Sequence, residues 1–188
     1  MSEKKFPPLP NTDHESEAMQ AARGKYAGIL QQIKELEERH QQARLTLETS
    51  VKVELIRDAR REAADCMEVL PRLEQMAYQA GIEYCRTARH GLREFQKEQR
   101  AARDRLVHDM AKACTALAGG NVEEIERLLS CAATEGDKFG PGNGPFPEIV
   151  ALRNSIHCAE CDVSIVADWL RVFRKKLADT KTTARQAA

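Results

Sequence analysis

The chain has 188 residues, and its 29 Lys and Arg balance 29 Asp and Glu. A formal net charge of zero removes any general electrostatic preference for nucleic acid or membrane. Charged residues reach 31% and aromatics only 5%, a composition that argues against a thick aromatic core and for helices.

In chain order, residues 1–12 (MSEKKFPPLPNT) contain no apolar h-region, so no secretory signal is expected, and FPPLP reads as a flexible extended arm. Thr12 and Glu15 spell a capping box, which predicts a helix start near residue 13. From 16 to 69, Tyr26, Ile29, Ile33, Leu36, Ala43 and Leu47 recur at helical steps, with His40 at one step where an apolar residue is expected. RLTLETSVKVEL (44–55) departs from this pattern. Leu45, Leu47, Val51, Val53 and Leu55 alternate with a period of two. That stretch predicts a stutter between helices, or alternatively a small β-hairpin.

Pro71 predicts a further break, because it lacks the N–H for the helical ladder and biases Leu70 away from helix. Beyond it, a near-heptad stripe runs through Leu73, Ala77, Ala80, Tyr84, Ala88, Gly91, Phe95, Ala102, Leu106, Met110, Ala113 and Leu117. One straight helix over 15–117 would be about 150 Å long, so the chain must fold back, near Ser50 or at Pro71. Gly119-Gly120 ends this helix. Asn121 and Glu124 predict a capped short helix over 122–134, with Val122, Ile125, Leu128 and Leu129 on one side.

GDKFGPGNGPFP (136–147) is a Gly/Pro-rich loop. It lacks the Gly-Lys-Ser/Thr ending and the preceding strand of a phosphate loop, but Phe139 and Phe146 make it a candidate binding epitope. Pro147 suits the first turn of a last helix, which should pack on the bundle over 148–178 and leave 179–188 as a frayed, flexible tail.

The last helix carries two apolar faces. Ile149, Leu152, Ile156, Ala159, Val163, Val166, Leu170, Phe173 and Leu177 fall on one. Cys158, Cys161, Ile165, Trp169 and Val172 fall on a second. A surface helix needs one such face, so the second is a candidate interaction surface, including a seam between copies of the chain. It also passes through HCAEC (157–161), where His157, Cys158 and Cys161 share one arc of the helix. A closed zinc site needs four ligands, and no second Cys-x-x-C or His-x-x-x-His pair occurs, so packing is the leading reading and zinc the alternative. The six cysteines lie in helical segments rather than in a loop-rich scaffold and are expected to be reduced, as in a cytoplasmic protein.

Arg86, Arg89, Arg93, Lys97 and Arg100 step by three and four residues and form a basic ridge. Neighbouring acids offer pairs, Glu94 with Arg93 and Lys97 and Glu98 with Arg105, so the ridge reads as a solvated face with nucleic acid as the alternative. His108 lies four residues from Asp104 and could be oriented by it. No nucleophile–base pair or convergent carboxylate pair accompanies it, so no enzymatic activity is expected.

The expectations are these. The fold is all-α: an elongated antiparallel hairpin or bundle of about four helices, with 13–135 holding the long hairpin and the short helix. The function is that of a non-enzymatic protein–protein interaction module, an adaptor, inhibitor or assembly component whose partners include a second copy of itself. It has no resident cofactor and no membrane span. A nucleic-acid-associated regulator using residues 86–105 is the alternative, and a metal-binding protein using HCAEC the second alternative.

Overall fold

The computed structural model describes residues 6, 9, 14–135 and 146–186. Four α-helices hold nearly all of them, and no strand occurs among the described residues: α1 (Glu17–Thr49), α2 (Val53–Ala118), α3 (Val122–Glu135) and α4 (Pro147–Gln186). The protein is all-α. The alternative of a β-hairpin over 44–55 is wrong. Strongly helical flanks carry α1 through Thr49 and restart α2 at Val53, and the alternating Leu and Val residues fall on both sides of a tight turn.

Helix α1 starts later than the capping box predicts. Ser16 is the N-cap, in extended backbone, and its hydroxyl accepts a hydrogen bond from the Met19 N–H at 3.4 Å. Thr12 lies outside the described residues. Tyr26, Ile29, Ile33, Leu36 and Ala43 are buried as the periodicity requires, joined by Met19.

The chain reverses at Ser50–Lys52. The Ser50 N–H still closes on the Thr46 carbonyl at 2.9 Å, while the Lys52 N–H turns to the Ser50 hydroxyl at 3.3 Å. Cross-helix pairs fix α1 and α2 as antiparallel: Arg39 Nε donates to Glu62 at 2.7 Å and Lys25 Nζ to Glu83 at 2.6 Å.

Pro71 does not break α2, contrary to expectation. Its ring removes the N–H that would reach the Met67 carbonyl. Pro71 and Met67 are both exposed, so water can take that bond, while buried Cys66 and Ala77 anchor the helix on either side. Helix α2 ends at Ala118, where Gly119 and Gly120 take positive φ of 74° and 112° and the Gly119 N–H caps the Thr115 carbonyl. Asn121 then caps α3, its side chain accepting from the Glu123 N–H at 2.9 Å.

The chain divides into two compact units, residues 1–89 with 165–188, and residues 90–164. In the first, α1, the early part of α2 and the late part of α4 share a core. Phe173 is fully buried, edge-on to Tyr26 at 5.6 Å between centroids and in contact with the backbone face at Gly81. A Cβ built on Gly81 would lie 2.6 Å from the Phe173 ring, so this close approach requires glycine. Arg23 binds α1 to α2 as well, donating to the Tyr84 hydroxyl at 3.0 Å and pairing with Glu15.

Phe6 is only 5% exposed and packs on Tyr78 at 5.2 Å between ring centroids. The remainder of the arm, apart from Leu9, lies outside the described residues up to His14.

In the second unit, Val107, Ala111, Leu129 and Ile149 form the core around which Leu106, Met110, Val122, Ile125 and Phe146 pack. The near-heptad stripe of α2 loses its register here: Leu117 is 90% exposed, and Leu92, Val107 and Ala111 take the buried positions. From Leu73 through Tyr84, Phe95 and Leu106 to Leu117 the stripe steps by eleven residues, a repeat that drifts by about 20° per step on a straight helix, so its far end leaves the buried face. On α3, Leu129 is buried but Leu128 is exposed. Helix α4 runs on to Gln186, through residues expected to fray.

Candidate interaction surfaces

Exposed apolar residues flank the turn between α1 and α2. Leu45 is 51% exposed, Val51 93%, Val53 71% and Leu55 47%. Met67 and Val69 are exposed further along α2. Between the helices a groove of about 390 Å³ is floored by Ala43, Ala59 and Leu55, with the Arg39–Glu62 ion pair at its edge.

The cause is the number of helices present. Gly81 meets Phe173, and α4 runs antiparallel to α2, so Gln186 falls level with residue 68. Among the described residues of this unit, the hairpin from about residue 37 to 67 is therefore a two-helix structure. Two helices cover one stripe of each other and leave the flanking apolar positions bare. Small Ala43 and Ala59 let α1 and α2 approach but fill little of the space between them.

The second apolar face of α4 is exposed too. In the first unit, Ile165 is 45% and Val172 39% exposed, with Trp169 half-buried and its ring 6.3 Å from that of Phe173. In the second unit, Cys158 and Cys161 are both exposed. The opposite face is buried as expected, with Ile149, Ile156, Ala159, Val166, Leu170 and Phe173 all in the core. Of the two loop phenylalanines, Phe139 lies outside the described residues. Phe146 is half-buried and packs against the second unit's core.

The basic ridge does not form one free cationic row. Arg86 and Arg93 are exposed, whereas Arg89 is half-buried and its Nε has no hydrogen-bond partner among the described residues. Lys97 pairs with Glu94 at 3.8 Å, as the spacing predicts, and Arg100 crosses to Glu160 of α4 at 2.9 Å, where Gln96 also donates. Arg105 donates to the Ala101 carbonyl rather than meeting Glu98. Within the second unit, Arg100, Arg103, Arg153 and His157 line a cleft of about 420 Å³ together with Asn154 and Glu160. Arg103 is held there by Asp104, with Nε at 3.0 Å and Nη2 at 2.6 Å.

His108 does not take the Asp104 contact that its spacing allows. Helix α3 folds back beside α2 and supplies Glu126, which meets His108 Nδ1, and Asp104 is taken by Arg103. Of the HCAEC residues, His157 and Cys161 are brought together, with Nε2 and Sγ 3.8 Å apart. Among the described residues no group of three or more His, Cys, Asp or Glu gathers around a common point.

All six cysteines are free thiols, in two classes. Cys66 and Cys85 are buried, and burial pushes both thiols up, Cys85 to about 12. Cys114, Cys131, Cys158 and Cys161 are exposed. Burial likewise raises Tyr26, Tyr78 and Tyr84 above the ordinary phenol range, with Arg23 opposing the rise at Tyr84.

The alternation of Val51, Val53 and Leu55 is the mark that the exposed turn leaves in the sequence. Apolar residues spaced at two cannot all share one helix face, so some of them must stay exposed. No helix is long and apolar enough to cross a membrane among the described residues. Compared with protein-family models, with curated proteins and with solved structures, the chain matches none.

Proposed function

We propose that this protein is a non-enzymatic interaction module, an adaptor or assembly component of the cytoplasm, and that its principal contact is the α1–α2 turn. The observation that carries the reading is the exposure of Leu45, Val51, Val53 and Leu55 at the end of a hairpin two helices thick, with Leu55 lining the groove between those helices. Contiguous exposed apolar side chains rimmed by polar ones mark interaction sites. Here the groove is edged by charges of both signs, the Arg39–Glu62 ion pair and Asp58. Such a rim selects neither a strongly acidic nor a strongly basic partner, and it tolerates a second copy of itself. Two such hairpins laid together would give each the missing helices of a four-helix bundle.

Light scattering on the full chain tests this. The expected mass exceeds that of one 21.1 kDa chain and falls to one chain in Leu55→Glu, with helicity by circular dichroism unchanged. A wild-type protein that stays a single chain at high concentration sinks the self-association. Trp169→Glu, measured alongside, examines the α4 face. A mass lowered by that change but not by Leu55→Glu moves the seam to Ile165, Trp169 and Val172.

A second reading, an acidic partner such as nucleic acid, is favoured by the cleft in which Arg100, Arg103 and Arg153 converge with His157. It predicts binding to random duplex DNA that weakens steeply with salt.

A further inference from the structure

Arg100 and Arg103 of α2 and Arg153, Asn154 and His157 of α4 line one cleft of about 420 Å³ inside the second unit. That volume lies in the range of small-ligand sites, about 300–1,000 Å³. Arg103, Arg153 and Asn154 are half-buried, so packing restrains the side chains that converge there. The lining holds three guanidiniums and, among the described residues, one carboxylate, Glu160. Asp104 stands beside the cleft on Arg103. Neither acid occupies its arginine fully. Asp104 takes Nε and Nη2 of Arg103 through a single oxygen, and Glu160 takes Nη2 of Arg100 at 2.9 Å. Among the described residues, no acceptor holds Nη1 of either arginine.

We propose that this cleft binds a small phosphorylated molecule through its phosphoryl group. A phosphoryl dianion carries three strong acceptor oxygens facing different directions, which suits donors arriving from two helices. A carboxylate is planar, carries one charge and engages one guanidinium fork, so it uses less of what the cleft offers. Among the described residues no aromatic side chain lines the cleft to stack a base, which favours a compact ligand over a nucleic-acid strand. Glu160 shares Arg100 with the incoming phosphoryl group and repels it, so it sets the affinity from within the cleft. The inference uses the cleft of the second reading above with a different ligand, and it is independent of the α1–α2 turn.

Titration of the isotope-labelled full-length protein with inorganic phosphate, at constant ionic strength, decides it. The readout is the arginine Nε–H signals in nuclear magnetic resonance. The expected result is a set of shifts that saturates, with affinity weakened about ten-fold or more in Arg103→Gln and in Arg153→Gln. Glu160→Gln should tighten binding, whereas Glu94→Gln, the same charge change on a residue outside the cleft lining, should not. Circular dichroism checks each variant, and if an arginine variant loses helicity, the comparison of Glu160→Gln with Glu94→Gln decides alone. Shifts that never saturate overturn the proposal, as does an affinity indifferent to both folded arginine variants. Random duplex DNA in the same buffer separates the two readings of the cleft. Duplex binding without phosphate saturation overturns the proposal and leaves the nucleic-acid reading standing. Phosphate saturation without duplex binding supports the proposal and removes that reading.

Discussion

At the scale of single residues, the first unit is held by side chains that tolerate no enlargement. Gly81→Ala gains about 1 kcal/mol of helix propensity but drives a Cβ to 2.6 Å from the Phe173 ring. That ring is fully buried and braced edge-on by Tyr26, so it cannot move aside without disturbing α1. Overpacking of this kind costs about 1–3 kcal/mol, which wins over the propensity gain, and a lower urea midpoint for Gly81→Ala is the expected outcome. The buried thiols and phenols set the pH response. Cys85 keeps its proton in the fold up to about 12, whereas an unfolded cysteine loses it near about 8.5. The folded state thus binds more protons at alkaline pH, and the stability this provides, complete below about 8.5, is lost as pH rises toward 12. Tyr26, Tyr78 and Tyr84, also raised by burial, act in the same direction at higher pH. The urea midpoint should therefore fall between about pH 8 and about pH 10.5. A midpoint that holds steady or rises would contradict the burial of these groups.

At the scale of elements, each helix end has a local cause while the interior of α2 does not. Ser16, Asn121 and the Gly119–Gly120 pair set their boundaries by hydrogen bonds or by φ, and these signals are readable without a fold. Thr12 shows the limit of such reading: a capping signal stands four residues upstream, yet Ser16 is the N-cap. Pro71 shows the converse. Its intrinsic cost in a helix is about 3 kcal/mol, yet α2 passes through it, because burial on both sides outweighs one lost hydrogen bond on a solvated face. Pro71→Ala should therefore be stabilising, by about 1–3 kcal/mol, since it restores the N–H to the Met67 carbonyl and enlarges nothing in the core. Chemical denaturation would reveal the opposite sign if Pro71 served a packing role instead.

At the scale of the whole molecule, the question is what a two-helix hairpin with a bare apolar turn is worth in association. Full burial of a Val or Leu side chain contributes about 1.5–3 kcal/mol. Scaled by the exposure of Leu45, Val51, Val53 and Leu55, the turn offers about 4–8 kcal/mol per copy. Two copies together offer about 8–16 kcal/mol against an association cost of about 4–15 kcal/mol, so the two nearly balance and the turn by itself supports a weak contact. The mass of the wild-type protein should rise with concentration rather than sit at one fixed oligomer. A mass independent of concentration and above one chain would call for a larger seam, to which the exposed Met67, Val69 or the α4 face would have to contribute.

Periodicity and local chemistry, both properties of sequence, determined that the protein is all-α. They also determined that α1 buries Tyr26, Ile29 and Ile33, that α4 buries Ile149 through Phe173, and that α2 ends at its glycine pair. These are short-range matters, settled by which side chains share a helix face and which φ angles a residue accepts. The tertiary structure alone decided that the chain reverses at Ser50 and not at Pro71. It alone decided that His108 meets Glu126, that Phe6 and Phe146 are packed, and that Arg100 is claimed by Glu160. Each of these depends on which helix lies opposite, and two segments distant in sequence carry no mark of their pairing until packing brings them together. The turn residues 44–55 stand between the two kinds of knowledge. Their alternation announced that something would be left unburied, and the count of helices around them decided what.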